Sequence, residues 1–112
     1  MEIQEIADAD DLYRRIHPSQ VKEGRPTSAA FRAKELSVDL ARLTTVLQCL
    51  SGYALHGLAS ITTAHARSLG QDVIHDPLEA NPAHALVKGT KTCSTAKKLA
   101  RSAKWEVLPP NG

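Results

Sequence analysis

With 112 residues the chain has room for one small domain, and 42% apolar with 23% charged residues is a globular rather than a disordered composition. Aromatic residues make up only 4%, which leaves little material for stacking bases, and a net charge of +2 is too small by itself to imply a nucleic-acid partner. No apolar run approaches the roughly 18 residues of a membrane span and no signal-peptide pattern opens the chain, so a cytoplasmic protein away from membranes, with Cys49 and Cys93 reduced, is expected.

Residues 1–10 form an acidic N-terminal segment; Glu2, Glu5, Asp8, Asp10 and Asp11 occur there and just beyond without a cation. Candidate caps at Asp8 to Asp11 predict a brief helix over Asp11 to Ile16. His17-Pro18 ends it, because a residue before proline is driven out of the helical region. Val21 to Ser28, with Gly24 and Pro26, reads as a loop, followed by a short turn through Ala29 to Arg32. Leu36 to Leu40 alternates apolar and polar, the pattern of a half-buried strand. Thr44 or Thr45 then caps a helix through Val46 to Leu50, closed by Ser51-Gly52. Gly57 to Thr62 reads as a strand, and Thr62 or Thr63 caps a short helix that stops at Gly70.

The stretch from Gln71 to Trp105 is the richest. It gives a strand over Asp72 to His75, a Pro-bounded loop from Asp76 to Pro82, and a strand over Ala83 to Lys88. A polar turn from Gly89 to Cys93 opens a helix over Ser94 to Lys104, and Trp105 to Leu108 makes a closing strand. Pro109 to Gly112 is read as a frayed tail. Strands interleaved with short helices predict a single α+β domain over residues 11–108, a small mixed sheet of about four short strands packed with short helices.

Four segments taken together (LYRRIHP from Leu12, GRPTSAAF from Gly24, LSVDLA from Leu36, and the run from His75 to Trp105) resemble a group of small bacterial proteins of unassigned function. The resemblance spans most of residues 11–108. It implies a stand-alone bacterial protein and carries no known chemistry.

The turn and helix offer the first candidate site. Unpaired backbone N–H groups at a helix start attract anions. Gly89 permits close approach, Thr90, Thr92, Ser94 and Thr95 bring hydroxyls, and Lys88 and Lys91 bring charge. No GxxxxGK[ST] loop is present, and no cofactor is expected. The plainer reading makes Ser94 or Thr95 an N-cap and Gly89 a strand-ending turn. From Lys88 to Lys104 there are six cations and no anion; Lys97, Arg101 and Lys104 align at helical spacing and can follow a nucleic-acid backbone or a nucleotide. Against this stand a solvated surface helix and an acidic N-terminal segment docked on it.

His75 and His84 flank the Pro-bounded loop, where Asp76 or Asn81 can orient an imidazole for acid/base work, with Ser37, Ser60 or Ser94 as partners. No GxSxG elbow supports a Ser-His hydrolase, and His84 reads equally as a polar side chain bonding a neighbouring carbonyl. His and Cys spacings match no metal site, so none is expected. Arg14, Arg15, Arg25 and Arg32 form a scattered set near His17, of which Arg25 and Arg32 can clamp a carboxylate or phosphate or, on the plainer reading, pair with Glu23, Glu35 and Asp39. Three functions remain: a binding protein for an anionic ligand (phosphate, nucleotide or nucleic-acid backbone) through residues 88–104; a small enzyme using His75 or His84; and a protein–protein adaptor.

Overall fold

The computed structural model describes residues 2–110. One sheet contains β1 Asp11–Ile16, β4 Glu35–Leu40, β5 Gly57–Thr62, β6 Asp72–His75, β7 His84–Lys88 and β8 Lys104–Val107; β2 Val21–Lys22 and β3 Arg25–Pro26 form a separate hairpin. The helices are α1 Val46–Leu50, α2 Thr63–Ser68 and α3 Cys93–Ser102. The sheet order is β6-β7-β4-β1-β5-β8, and every pairing is antiparallel. The α+β class is thus as expected, while the mixed sheet of about four strands becomes an antiparallel sheet of six.

The miscount has a physical origin in β1. Leu12 and Ile16 lie four apart, a spacing that satisfies a helix and a strand alike. Both are fully buried here, at the centre of the sheet between β4 and β5. The loop expected over residues 21–28 contains the small β2–β3 hairpin, turned by Glu23 and Gly24 at φ 53° and 75°. α2 carries the chain from β5 to β6 at one edge, and α3 carries it from β7 to β8 at the other.

Register divides the sheet into two faces. Leu12, Ile16, Leu36, Val38, Leu40, Ala59, Ile61, Val73, Ala85 and Val87 join Phe31 and, from α3, Leu99, Ala100 and the following Ala103 in one core cluster. On the other face, Tyr13 opposes Asp39, Asp39 opposes His84, and Arg15 lies opposite Leu58. Residues two apart share a face, so Arg15, Ser37, Asp39 and His84 stand together on it.

The caps hold where the local pattern placed them. Thr45 Oγ1 accepts from the Gln48 N–H, and Thr62 Oγ1 from the His65 N–H. In α3 the cap is Thr92, whose Oγ1 accepts from the Thr95 N–H at 3.1 Å, and Ser94 falls inside the first turn. The helix ends at Ser102, so Lys104 belongs to β8 and leaves the basic row. Arg25 lies against the end of α3. Its Nη2 donates to the carbonyls of Ala100 and Ala103, closing the C-terminal end of α3.

The acidic segment does not dock on α3. Asp8 pairs with Arg67 of α2, and Asp10 with Arg42. In the expected tail Pro109 is buried, whereas residues 111 and 112 lie outside the described residues. Among the described residues, no helix is long and apolar enough to cross a membrane.

Candidate functional site

A cleft of about 880 Å³ opens on the polar face of the sheet. β1 and the turn after it contribute Arg14, Arg15 and His17, and β4 contributes Ser37 and Asp39. The α1 region adds Cys49, Tyr53 and His56; the Pro-bounded loop and β7 add Asn81 and His84.

Asp39 is the hub and is only 2% exposed. Its Oδ2 accepts from Arg15 Nη1 at 2.8 Å and from the Cys49 thiol at 3.3 Å, and its Oδ1 from Asn81 Nδ2 at 2.7 Å. Buried carboxylates require such partners, because an unpaired one loses its hydration without return. Arg15 Nη1 also donates to the Cys49 carbonyl at 3.2 Å, and its guanidinium lies 4.4 Å from the centre of the Tyr53 ring. Burial, followed by the hydrogen bond to Asp39, pushes the Cys49 thiol up to about 11.

Beyond Arg15 runs an aromatic chain. The His56 ring meets Tyr53 and His17 edge-on, each at 5.1 Å between centres. Nδ1 of His56 is buried without a hydrogen-bond partner among the described residues. Burial, with His17, Arg15 and Arg14 nearby, lowers the His56 pKa from its ordinary value. Arg14 donates from Nε to Ala30 O at 3.0 Å and from Nη1 to Ser37 O at 3.1 Å.

His84 is held at both nitrogens. Nδ1 lies 3.0 Å from the Asp76 carbonyl and 3.2 Å from its carboxylate, and Nε2 lies 3.2 Å from Ser37 Oγ. Both Asp76 atoms accept only, so Nδ1 carries the hydrogen and Nε2 turns its lone pair to Ser37. The Asp76, His84 and Ser37 side chains named from sequence therefore meet. Ser60 bonds Glu106 instead, and Ser94 lies on α3. His75 has a different place: Nδ1 accepts from the Gln4 N–H at 2.8 Å and Nε2 donates to Pro82 O at 2.7 Å, a buried staple with no free nitrogen.

The Gly89 turn is occupied largely by the protein itself. The Gly89 N–H donates to Lys34 O at 2.9 Å, and Lys91 Nζ reaches the carbonyls of Val87, Gly89 and Lys34. Burial lowers the Lys91 pKa. The close approach that Gly89 permits is used by Gln71, whose Nε2 donates to Thr90 O. Lys88 faces Glu35 at 3.5 Å. Thr90, Thr92 and Ser94, with Lys97 and Arg101 further along α3, remain exposed.

Arg14 and Arg15 stand near His17 in the sequence, but nothing local ties them to His56; the β1–β4–β7 register brings β1 beside Asp39 and His84, and the segment after α1 adds Tyr53 and His56. Among the described residues, no three His, Cys, Asp or Glu side chains are grouped to hold a metal ion. Comparison with known protein families, curated proteins and solved structures finds no match to this chain.

Proposed function

We propose that the protein is a small binding protein for an anionic ligand, and that the ligand sits in the polar-face cleft beside Arg14, Arg15, His17 and His56. One observation carries this. Two guanidiniums and three imidazoles line the cleft against a single lining carboxylate, Asp39, whose oxygens are already engaged by Arg15, Asn81 and Cys49. The buried, partnerless Nδ1 of His56 supplies a donor once the ring is protonated. The resemblance to small bacterial proteins and a cytoplasmic location belong to the same proposal.

An exposed row on α3 favours an alternative seat for the same chemistry. Lys97, Lys98 and Arg101 point to solvent and make no salt bridge among the described residues, an arrangement suited to a phosphate backbone.

Calorimetry with sulfate, whose charge is constant near neutrality, tests the cleft. Binding should weaken with added salt and tighten as pH falls through the lowered His56 pKa, with proton uptake, because the anion favours the charged ring. His56→Asn should reduce the pH dependence and cost about tenfold in affinity, the value of one hydrogen bond to a charged group. Sulfate binding that ignores both pH and this substitution contradicts the cleft. If instead only Lys97→Ala with Arg101→Ala weakens binding, α3 is the seat.

A further inference from the structure

We propose that Ser37 is a nucleophile for acyl transfer, activated by His84 and oriented through Asp76, with small esters carrying an anionic group as the substrate class. The anionic part of that class rests on the binding reading above; the nucleophile does not. Three facts place the relay. Ser37 Oγ lies 3.2 Å from His84 Nε2, within reach for proton transfer. The Asp76 carbonyl and carboxylate both receive Nδ1–H, at 3.0 and 3.2 Å, which leaves Nε2 as the basic nitrogen. Ser37 and His84 also line the cleft mapped above, so the hydroxyl faces the space a ligand would fill.

Arg14 gives the site an electrophilic partner. Its guanidinium lines the same cleft, held by the Ser37 main-chain carbonyl at 3.1 Å and the Ala30 carbonyl at 3.0 Å. A cation there favours the negative charge that develops on the carbonyl oxygen during attack.

The steps balance with water as co-reactant. Ser37 Oγ forms a bond to the ester carbonyl carbon while its proton moves to His84 Nε2. The C–O bond to the alcohol breaks, and the departing alkoxide takes that proton. Water then attacks the acyl carbon, giving its proton to Nε2; the acyl–Ser37 bond breaks, the carboxylic acid departs, and Oγ recovers the proton. β4 holds Ser37 in a regular strand rather than a strained elbow, so its placement comes from the β4–β7 ladder, where Asp39 pairs with His84 and Ser37 lies two residues along, while Asp76 fixes the His84 ring.

A neutral alkyl fluorophosphonate tests the nucleophile without requiring anion recognition. Its P–F bond is exchanged for an Oγ–P bond, with fluoride leaving and the proton passing to His84. Mass spectrometry should find one adduct on the intact chain, mapped to Ser37 and absent in Ser37→Ala. His84→Gln should slow it by about a hundredfold, the usual contribution of a positioned base. Asp76→Asn, on an exposed loop and less exposed to folding failure, should also slow it. No adduct, an adduct elsewhere, or a rate unchanged in both variants overturns the proposal. Protection by sulfate joins the two readings in one cleft; an adduct forming at full rate in saturating sulfate upholds Ser37 and removes the anion seat from its neighbourhood.

Discussion

Asp39 shows how much a single side chain settles here. Buried between strands, its carboxylate holds Arg15 at the sheet, Asn81 at the Pro-bounded loop and Cys49 at α1, tying together segments 24, 42 and 10 residues away. None of these pairings is visible in local sequence, which assigns Asp39 to the polar face of an alternating strand and offers it Arg25 or Arg32 as a surface partner, whereas Arg15 takes it. The His84–Asp76 contact was readable because it closes a loop of eight residues with proline at both ends. Cys49 supplies the check at this scale. A thiol held near 11 by burial and Asp39 stays protonated at pH 8, whereas Cys93 is exposed at the start of α3. A thiol-reactive disulfide reagent at that pH should therefore titrate one group rapidly, and Cys93→Ser should abolish the fast phase; rapid labelling of Cys49 in the folded protein contradicts the burial argument.

Elements differ in how far local pattern determines them. Gly57–Thr62 and Asp72–His75 form strands over the residues their alternation indicates, and Thr45 and Thr62 cap the helices that follow them. β1 was misread because a spacing of four serves both periods, and only its neighbours decide between them. The Gly89 turn was recognised as a special backbone position, and its φ of 151° bears this out. Its occupant is not readable from local sequence, since Gln71 meets it across the open end of the β6–β7 hairpin, one position beyond the Asp72–Lys88 pair. Gly89→Ala adds a Cβ at 2.7 Å from Gln71 Oε1 in a region few residues adopt, and should destabilise the fold by about 1–3 kcal/mol in denaturant unfolding. A neutral substitution there would mean that the turn relaxes freely and that Gln71 does not hold it.

At the scale of the molecule, one sheet separates two environments. Helices and the Ser28–Phe31 turn cover the apolar side; the other side keeps ionisable groups beside a cleft bordered by α1 and the Pro-bounded loop. Binary patterning announces that strands have two faces, but not which distant segments close over each. The charge asymmetry along the chain pointed to its basic end. In the fold, Lys88 and Lys91 are largely engaged with Glu35 and backbone carbonyls, and the guanidiniums beside the polar-face cleft come from β1. The direct test is an amide NMR titration of the uniformly labelled protein with sulfate. Saturable shifts should centre on residues 14–17, 37–39, 49–56 and 81–84, with residues 89–101 unmoved. Shifts centred instead on 89–101, or none that saturate, would contradict a seat in the cleft.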